Sequence, residues 1–330
     1  MKKLKILNHL LIGFMIFAMS CSKKVSKEVR PYYIKINGPM ADRKQEISGM
    51  DWYKDNLFLL PENLNGYVFL IKKSELDSRI NKSDTSAITP QKIKFDTPNF
   101  KESIPGFDSF EAIVFRGYEV YISIEIRFKD RMGCMIARGH INEETFEITI
   151  PEQTLIPFDV PRFVDNMSYE SLVIKGDRVY GLFEAYGDSL IKDPYVLSVN
   201  VSGKDIKKHP TSSINYRIAD ATKIDNNNRF WAINYFYPGD KSTLKPSKDL
   251  LAHNYGEGPT HSKSDRVERL VEYKINKNRI VLTDNAHLEL ELEGEKTSRK
   301  WEALARYENK GFLIATDKYP TTILAYVPLD

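Results

Sequence analysis

Five stretches of this chain read alike, and their repetition constrains the fold more than any other feature. They are ISGMDWYKDNLFLLPEN from Ile47, FEAIVFRGYEVYISIEI from Phe110, YESLVIKGDRVYGLFEAYG from Tyr169, ADATKIDNNNRFWAINYF from Ala219 and WEALARYENKGFLIATDKY from Trp301. Each is a short apolar run, a polar turn rich in Gly, Asn or Asp, and a second run rich in β-branched and aromatic residues. That pattern signals a β-hairpin, because such turn residues tolerate the positive φ of a tight reversal while branched side chains pack on a pleated surface. A unit this small cannot bury its own apolar face, so repeated copies must stack on one another. Helical periodicity is scarce.

Further strand-like runs follow the first four hairpins: YVFLIKK and KIKFD, CMIARGHI and FEITI, YVLSVNV and DIKKHP, RLVEYKI and RIVLTD. Four strands per repeat make a propeller blade, so the expected fold is all-β, a five-bladed β-propeller. After TTILAYVPL only Asp330 remains, leaving the last repeat without an outer strand. The run PYYIKI from Pro31 is the expected donor, closing the ring with an N-terminal strand in the last blade and leaving no sheet edge open. Hairpin positions 48, 111, 170, 220 and 302 are 63, 59, 50 and 82 residues apart. The long interval holds an insertion at about 237–266 that lacks strand alternation, so a sixth blade finds no strands there.

The N-terminus sets the compartment. Lys2, Lys3 and Lys5 precede LLIGFMIFAM, which is too short to span a bilayer comfortably and fits a secretory signal. Ala18-Met19-Ser20-Cys21 then resembles the lipobox of bacterial lipoproteins, in which cleavage before the cysteine precedes its lipidation. The expected organisation is a signal peptide and lipobox at 1–21, with Cys21 lipidated, a linker at 22–30, and a single propeller domain at 31–330. A membrane-held monomer in the cell envelope, periplasmic or surface-exposed, follows. Ala18 stands where lipoboxes usually carry Leu, so ordinary cleavage at an A-x-A-like site is the alternative. With Cys21 lipidated, Cys134 is the one remaining thiol, so no intramolecular disulfide forms and the core must hold alone. A chain this long, with 42% apolar residues, can bury enough surface to do so. The formal charge of +3 includes the three signal lysines, so the mature protein is near neutral and no nucleic acid polymer is expected as partner.

Laying the hairpins over one another aligns Ser48, Glu111, Glu170, Asp220 and Glu302. Fourteen residues further on stand Glu62, Glu125, Glu184 and Asn234, with Asp317 at fifteen in the last repeat. In a propeller the first strand of each blade lines the axis, and a hairpin brings the start of that strand level with the end of the second. Two concentric polar rings on one face are therefore expected. Two carboxylates about 6 Å apart repel by roughly 3 kcal/mol at an effective dielectric near 20, so an inner ring of four acids calls for a cation. Calcium suits an all-oxygen ring, whereas zinc's usual His and Cys ligands are missing. The alternatives are acids that bond backbone N–H groups of neighbouring blades, acids that stay protonated, and outer-ring residues that cap hairpin ends.

The dipeptides SG, EA, ES and EA at Ser48, Glu111, Glu170 and Glu302 resemble the blade starts of the five-bladed calcium-activated nucleotidases, the soluble apyrases. The repeats are similar also to phytase-like propeller lipoproteins. Asp220 departs from the pattern, where that family more often shows Ser. The resemblance implies a propeller, an axial Ca2+ and a phosphoester or phosphoanhydride substrate. A small phosphorylated ligand needs cations on the acidic face. Arg43, Lys44, Arg162, Arg217, Arg299 and Lys300 enter the first strands, and Arg127, Arg131 and Lys318 leave the second. Of these Arg127, Arg162, Arg217, Arg299 and Lys318 are the candidate ligand-binding residues, with Glu125 or Glu184 as the catalytic carboxylate orienting water. The plainer reading of the same cations is solvated turns.

Serine-hydrolase, zinc-protease, thioredoxin-like and P-loop motifs are missing from the sequence. His253 and His261 flank YGEGPT in the insertion at a spacing that fits no standard metal site, and a loop role is expected. The insertion itself should overhang the acidic face as a lid. Trp52, Trp231 and Trp301 read as blade packing. Two functions stand open: a calcium-dependent phosphohydrolase, and a non-catalytic module with a structural ion that recognises a protein, glycan or metabolite.

Overall fold

Tight reversals set the hairpins. Gly117 and Gly176 occupy two-residue loops at φ of 56° and 59°, and Lys54 takes φ of 52° in a third. The computed structural model describes residues 24–62, 66–294 and 298–329, so the expectations for the signal segment and Cys21 lie outside the described residues.

The five hairpins are Ile47–Tyr53 with Asn56–Pro61, Phe107–Arg116 with Glu119–Arg127, Ser171–Lys175 with Arg178–Leu182, Ile214–Ala221 with Arg229–Phe236, and Trp301–Tyr307 with Gly311–Thr316. Each extends outward through antiparallel partners, such as Tyr67–Lys72 and Gln91–Asp96 in the first repeat and Tyr195–Asn200 and Lys207–Pro210 in the third. Tyr32–Ile34 pairs antiparallel with Leu324–Pro328. The first strand of every repeat lies beside that of the next, and the first strand of the last repeat lies beside Ile47–Tyr53. Contact between the first two is close: a Cβ on Gly49 would stand 3.0 Å from the carbonyl oxygen of Glu111. Four apolar clusters fill the spaces between sheets, with Trp301, Phe58, Phe69, Phe183 and Phe230 among their buried side chains.

Three elements depart from the sequence reading. Residues 27–29, expected within a linker, form a strand parallel to Leu288–Leu290. Lys73–Ile80 is an α-helix, whose Leu76 is buried and whose Glu75 accepts the N–H of the capping residue Lys72. Ile148–Thr149 pairs with both its own sheet and Gln91–Asp96, joining the outer edges of the first two repeats. The insertion carries the short helices Lys241–Leu244 and Leu250–Tyr255. Among the described residues no helix is long and apolar enough to cross a membrane.

Candidate axial carboxylate site

Four of the five aligned inner positions fall at a backbone irregularity. Ile47 pairs with Pro61 and Gly49 with Leu60, leaving Ser48 as the extra residue of a β-bulge. Glu302 is likewise extra between Trp301 and Ala303, and the register shifts across Glu111 and across Asp220 as well. Glu170 directly precedes the ladder that starts at Ser171. A bulge bends its strand and re-aims the extra side chain, so the repeats turn these residues out of the alternating pleat. At Glu111 the freed N–H of Ala112 is met by the Ser123 hydroxyl at 2.9 Å.

These residues then divide between two roles. The Ser48 hydroxyl donates to the carbonyl of Phe110 at 2.7 Å, tying the first repeat to the second. Asp220 accepts the N–H of Leu304 at 2.7 Å, of Ala221 at 2.8 Å and of Met50 at 3.4 Å. Ser48 and Asp220, expected as metal ligands, are thus bonded to backbone, as the stapling alternative would have it.

Glu111, Glu125 and Glu170 converge instead. One oxygen of each lies within 4.8 Å of the others, at exposures of 7%, 3% and 9%. Glu125, from a second strand, thus stands beside two of the inner residues. No ion pair to these three occurs among the described residues; the Ser109 hydroxyl donates to Glu111. Burial pushes Glu111 up to about 7, with Ser109 and Glu170 bonded to it pulling the other way. Burial and then the charge of Glu111 push Glu125 up to about 9, and the same two causes hold Glu170 well above the usual carboxylate range.

Glu184 and Glu302 stand around this cluster. Ala185 pairs with Arg217 in the strand ladder, which sets Glu184 against the Arg217 guanidinium in a buried ion pair. Arg217 also bonds Asp240 at 2.8 Å, so the start of the insertion is fastened to the acidic face. The second oxygen of Glu184 is buried without a hydrogen-bond partner. Glu302 is half-buried, and burial followed by the Asp317 charge raises it well above normal. Burial likewise raises Asp317, against the pull of Lys300. Glu62, half-buried and bonded to Glu46, is pushed up to about 10, by desolvation first and then by that bond. Asn234 is structural: its amide donates to the carbonyl of Asn215 at 2.9 Å and accepts from Arg269 at 2.8 Å.

Cations expected to receive phosphate are largely committed elsewhere. Arg299 is only 2% exposed and bonds Glu268 at 2.9 Å, the carbonyl of Glu291 and the Tyr33 hydroxyl. It is a core group rather than a surface ligand. Arg217 is held as above, Arg127 grips Asp165 at 2.8 Å, and Lys318 bonds Glu46 at 2.7 Å. Arg162 is exposed and donates to the carbonyl of Leu190 at 2.9 Å.

A second polar cluster escaped the sequence reading. His261, expected to be an ordinary loop residue, is 2% exposed; its Nδ1 lies 2.8 Å from Glu28 and 3.8 Å from Glu289. Its Nε2 accepts the N–H of Glu268, so Nδ1 carries the proton and Glu28 receives it. The partners are 233 residues apart, and no local spacing signals such a contact.

The donors at the axial cluster fit calcium. They are all oxygen, three carboxylates lie within reach of one ion, and a fourth buried carboxylate carries an unpartnered oxygen.

No family model and no curated protein matches the chain. Among solved structures it is similar to a family 32 β-fructofuranosidase of Bombyx mori in complex with sucrose, at 12% identity and a TM-score of 0.53, covering 92% of this chain and 63% of that one. An α-L-arabinanase of Cellvibrio cellulosa matches at 11% identity and 0.42, over 85% and 91%. A family 43 glycoside hydrolase of Xanthomonas citri matches at 9% and 0.45, over 90% and 91%. At such identities the likeness is one of fold. The chain is an all-β protein with the β-propeller fold, and glycoside hydrolases are among the solved structures it is similar to.

Proposed function

We propose that this chain is a calcium-binding β-propeller of five blades, closed by Tyr32–Ile34 in the last, whose ion sits among Glu111, Glu125 and Glu170. The observation that carries the reading is the convergence of three buried carboxylates without a basic side chain between them. Concentrating negative charge there is costly unless protons or a cation compensate, and a hard cation accepts about six to eight oxygens in flexible geometry. Strands Phe107–Arg116 and Glu119–Arg127 supply two ligands and the approach to Ser171–Lys175 supplies the third, so a bound ion would tie the second blade to the third. With its ligands under 10% exposed, the ion is structural in this reading. Lipidation at Cys21, the envelope location, the monomeric state and a single domain over 31–330 belong to the same proposal. The test is calorimetric titration of the chelated protein with calcium, where absence of binding heat and of any thermal shift would refute it.

A second reading is hydrolysis of a glycan, favoured by the likeness in fold to the β-fructofuranosidase and by a carboxyl, Glu125, that keeps its proton at neutral pH. A protonated carboxyl beside an ionisable one is the equipment of glycoside hydrolysis, although such pairs stand about 5–9.5 Å apart and face an open cleft. Phosphoester hydrolysis is less well supported, because Arg127, Arg217, Arg299 and Lys318 already hold carboxylates. Release of reducing sugar from fructans and arabinans, or of phosphate from nucleotides and inositol phosphates, separates these activities from a purely structural ion.

A further inference from the structure

The segment that follows Cys21 is fastened to the insertion almost at once. Lys24 bonds the carbonyl of Asp284 at 3.1 Å and the side chain of Asn285 at 2.8 Å. The Ser26 hydroxyl donates to the carbonyl of Gly256 at 2.8 Å, and its N–H donates to the carbonyl of Tyr255 at 2.9 Å. Glu28 receives the N–H of Thr260 and the Nδ1 proton of His261. Two residues lie between Cys21 and Lys24, so three Cα–Cα steps give a reach of about 11 Å at full extension. A lipid on Cys21 therefore leaves this corner of the molecule no room to stand away from the bilayer.

The surface at that corner suits such a neighbour. Val25 is 65% exposed and Leu250, which opens the helix that ends at Tyr255, is 61% exposed. Lys248 and Leu250 line a cleft of about 290 Å³ whose other wall includes Asp284, the residue that Lys24 grips. Apolar tips flanked by lysine stems can enter the interface while the ammonium groups stay at headgroup level.

We propose that the patch formed by Val25, Leu250, Lys24 and Lys248 lies on the membrane surface and fixes the orientation of the propeller there. This rests on lipidation of Cys21. The fold is then held against the bilayer by its fourth repeat instead of swinging on a tether.

The test uses the full-length lipidated protein in phosphatidylethanolamine/phosphatidylglycerol vesicles, labelled with an environment-sensitive fluorophore at Leu250→Cys or at Glu144→Cys. Cys134 is buried, and Glu144 lies on the loop beside the Lys54 turn. The expected result is quenching by brominated lipid at position 250 and several-fold weaker quenching by aqueous iodide there than at 144. Equal iodide quenching at both positions, in protein whose Cys21 carries diacylglycerol by mass spectrometry, overturns the docking and leaves the anchor standing. An unmodified Cys21 overturns both.

Discussion

Asp220 and Leu304 meet across two repeats: the carboxylate accepts the backbone N–H at 2.7 Å, and the same oxygen takes the N–H of Met50. One buried side chain thus joins the first strands of the first, fourth and fifth repeats. Asp220→Ala takes this acceptor from three buried N–H groups, those of Leu304, Ala221 and Met50, at about 1–3 kcal/mol each. A loss of about 3 kcal/mol in urea unfolding is expected, and a loss under about 1 kcal/mol would show that this bridge is dispensable.

Calcium at 100 times its Kd should stabilise the protein by about 2.7 kcal/mol over the chelated form. Glu125→Gln removes a ligand while resembling the protonated carboxyl of the ion-free state. The variant should melt close to the chelated parent and lose its response to calcium. Unchanged calcium response in the variant would place the ion elsewhere.

The pH dependence of the ion-free protein follows from the same cluster. Glu111 at about 7, Glu125 at about 9 and Glu62 at about 10 all sit above their unfolded values, so the folded state binds the extra protons. Stability is then fullest below the unfolded carboxylate range and falls as pH rises through the folded values, by up to about 1.4 kcal/mol per unit for each proton held. Chelated protein should lose stability between pH 5 and about 9, and calcium should flatten that slope because it displaces protons. Melting curves that rise over this window would contradict the assignment.

Gly49 packs its Cα hydrogen against the backbone of Glu111 and Ala112. Gly49→Ala must push two first strands apart, at about 1–3 kcal/mol. If Gly49→Ala unfolds like the parent, the packing there is looser than the distances imply.

Glu28→Ala strands the His261 N–H and Nδ1–H and should release the strand at 27–29. Hydrogen exchange at Lys27–Val29 is the readout, with a loss of protection expected there before Tyr32–Ile34 responds. Uniform protection in both strands would show that the clamp contributes nothing.

Much of this architecture was legible because hairpins are local. Turn chemistry and branched runs lie side by side in sequence, and a spacing of fourteen places the two ends of a hairpin level. The bulges were not legible: nothing in EA or SG tells a paired residue from an extra one, yet the extra residue decides which way a side chain is aimed. Nor does composition reveal which cation is already spoken for. Arg299 reads as an exposed loop charge and is instead buried against Glu268, its guanidinium also bonding the Glu291 carbonyl and the Tyr33 hydroxyl. The short strand at 27–29 hid for a related reason, since its hydrogen-bond partner lies some 260 residues away.

Two strands made early in synthesis, Lys27–Val29 and Tyr32–Ile34, find their partners at Leu288–Leu290 and Leu324–Pro328. These early strands must wait for their partners, so a growing chain holds unfinished sheet edges until Leu324–Pro328 has been made. Such long-range pairing slows folding and prolongs exposure of sticky intermediates. A chain cut short before Leu324 keeps a partner for Lys27–Val29 and has none for Tyr32–Ile34.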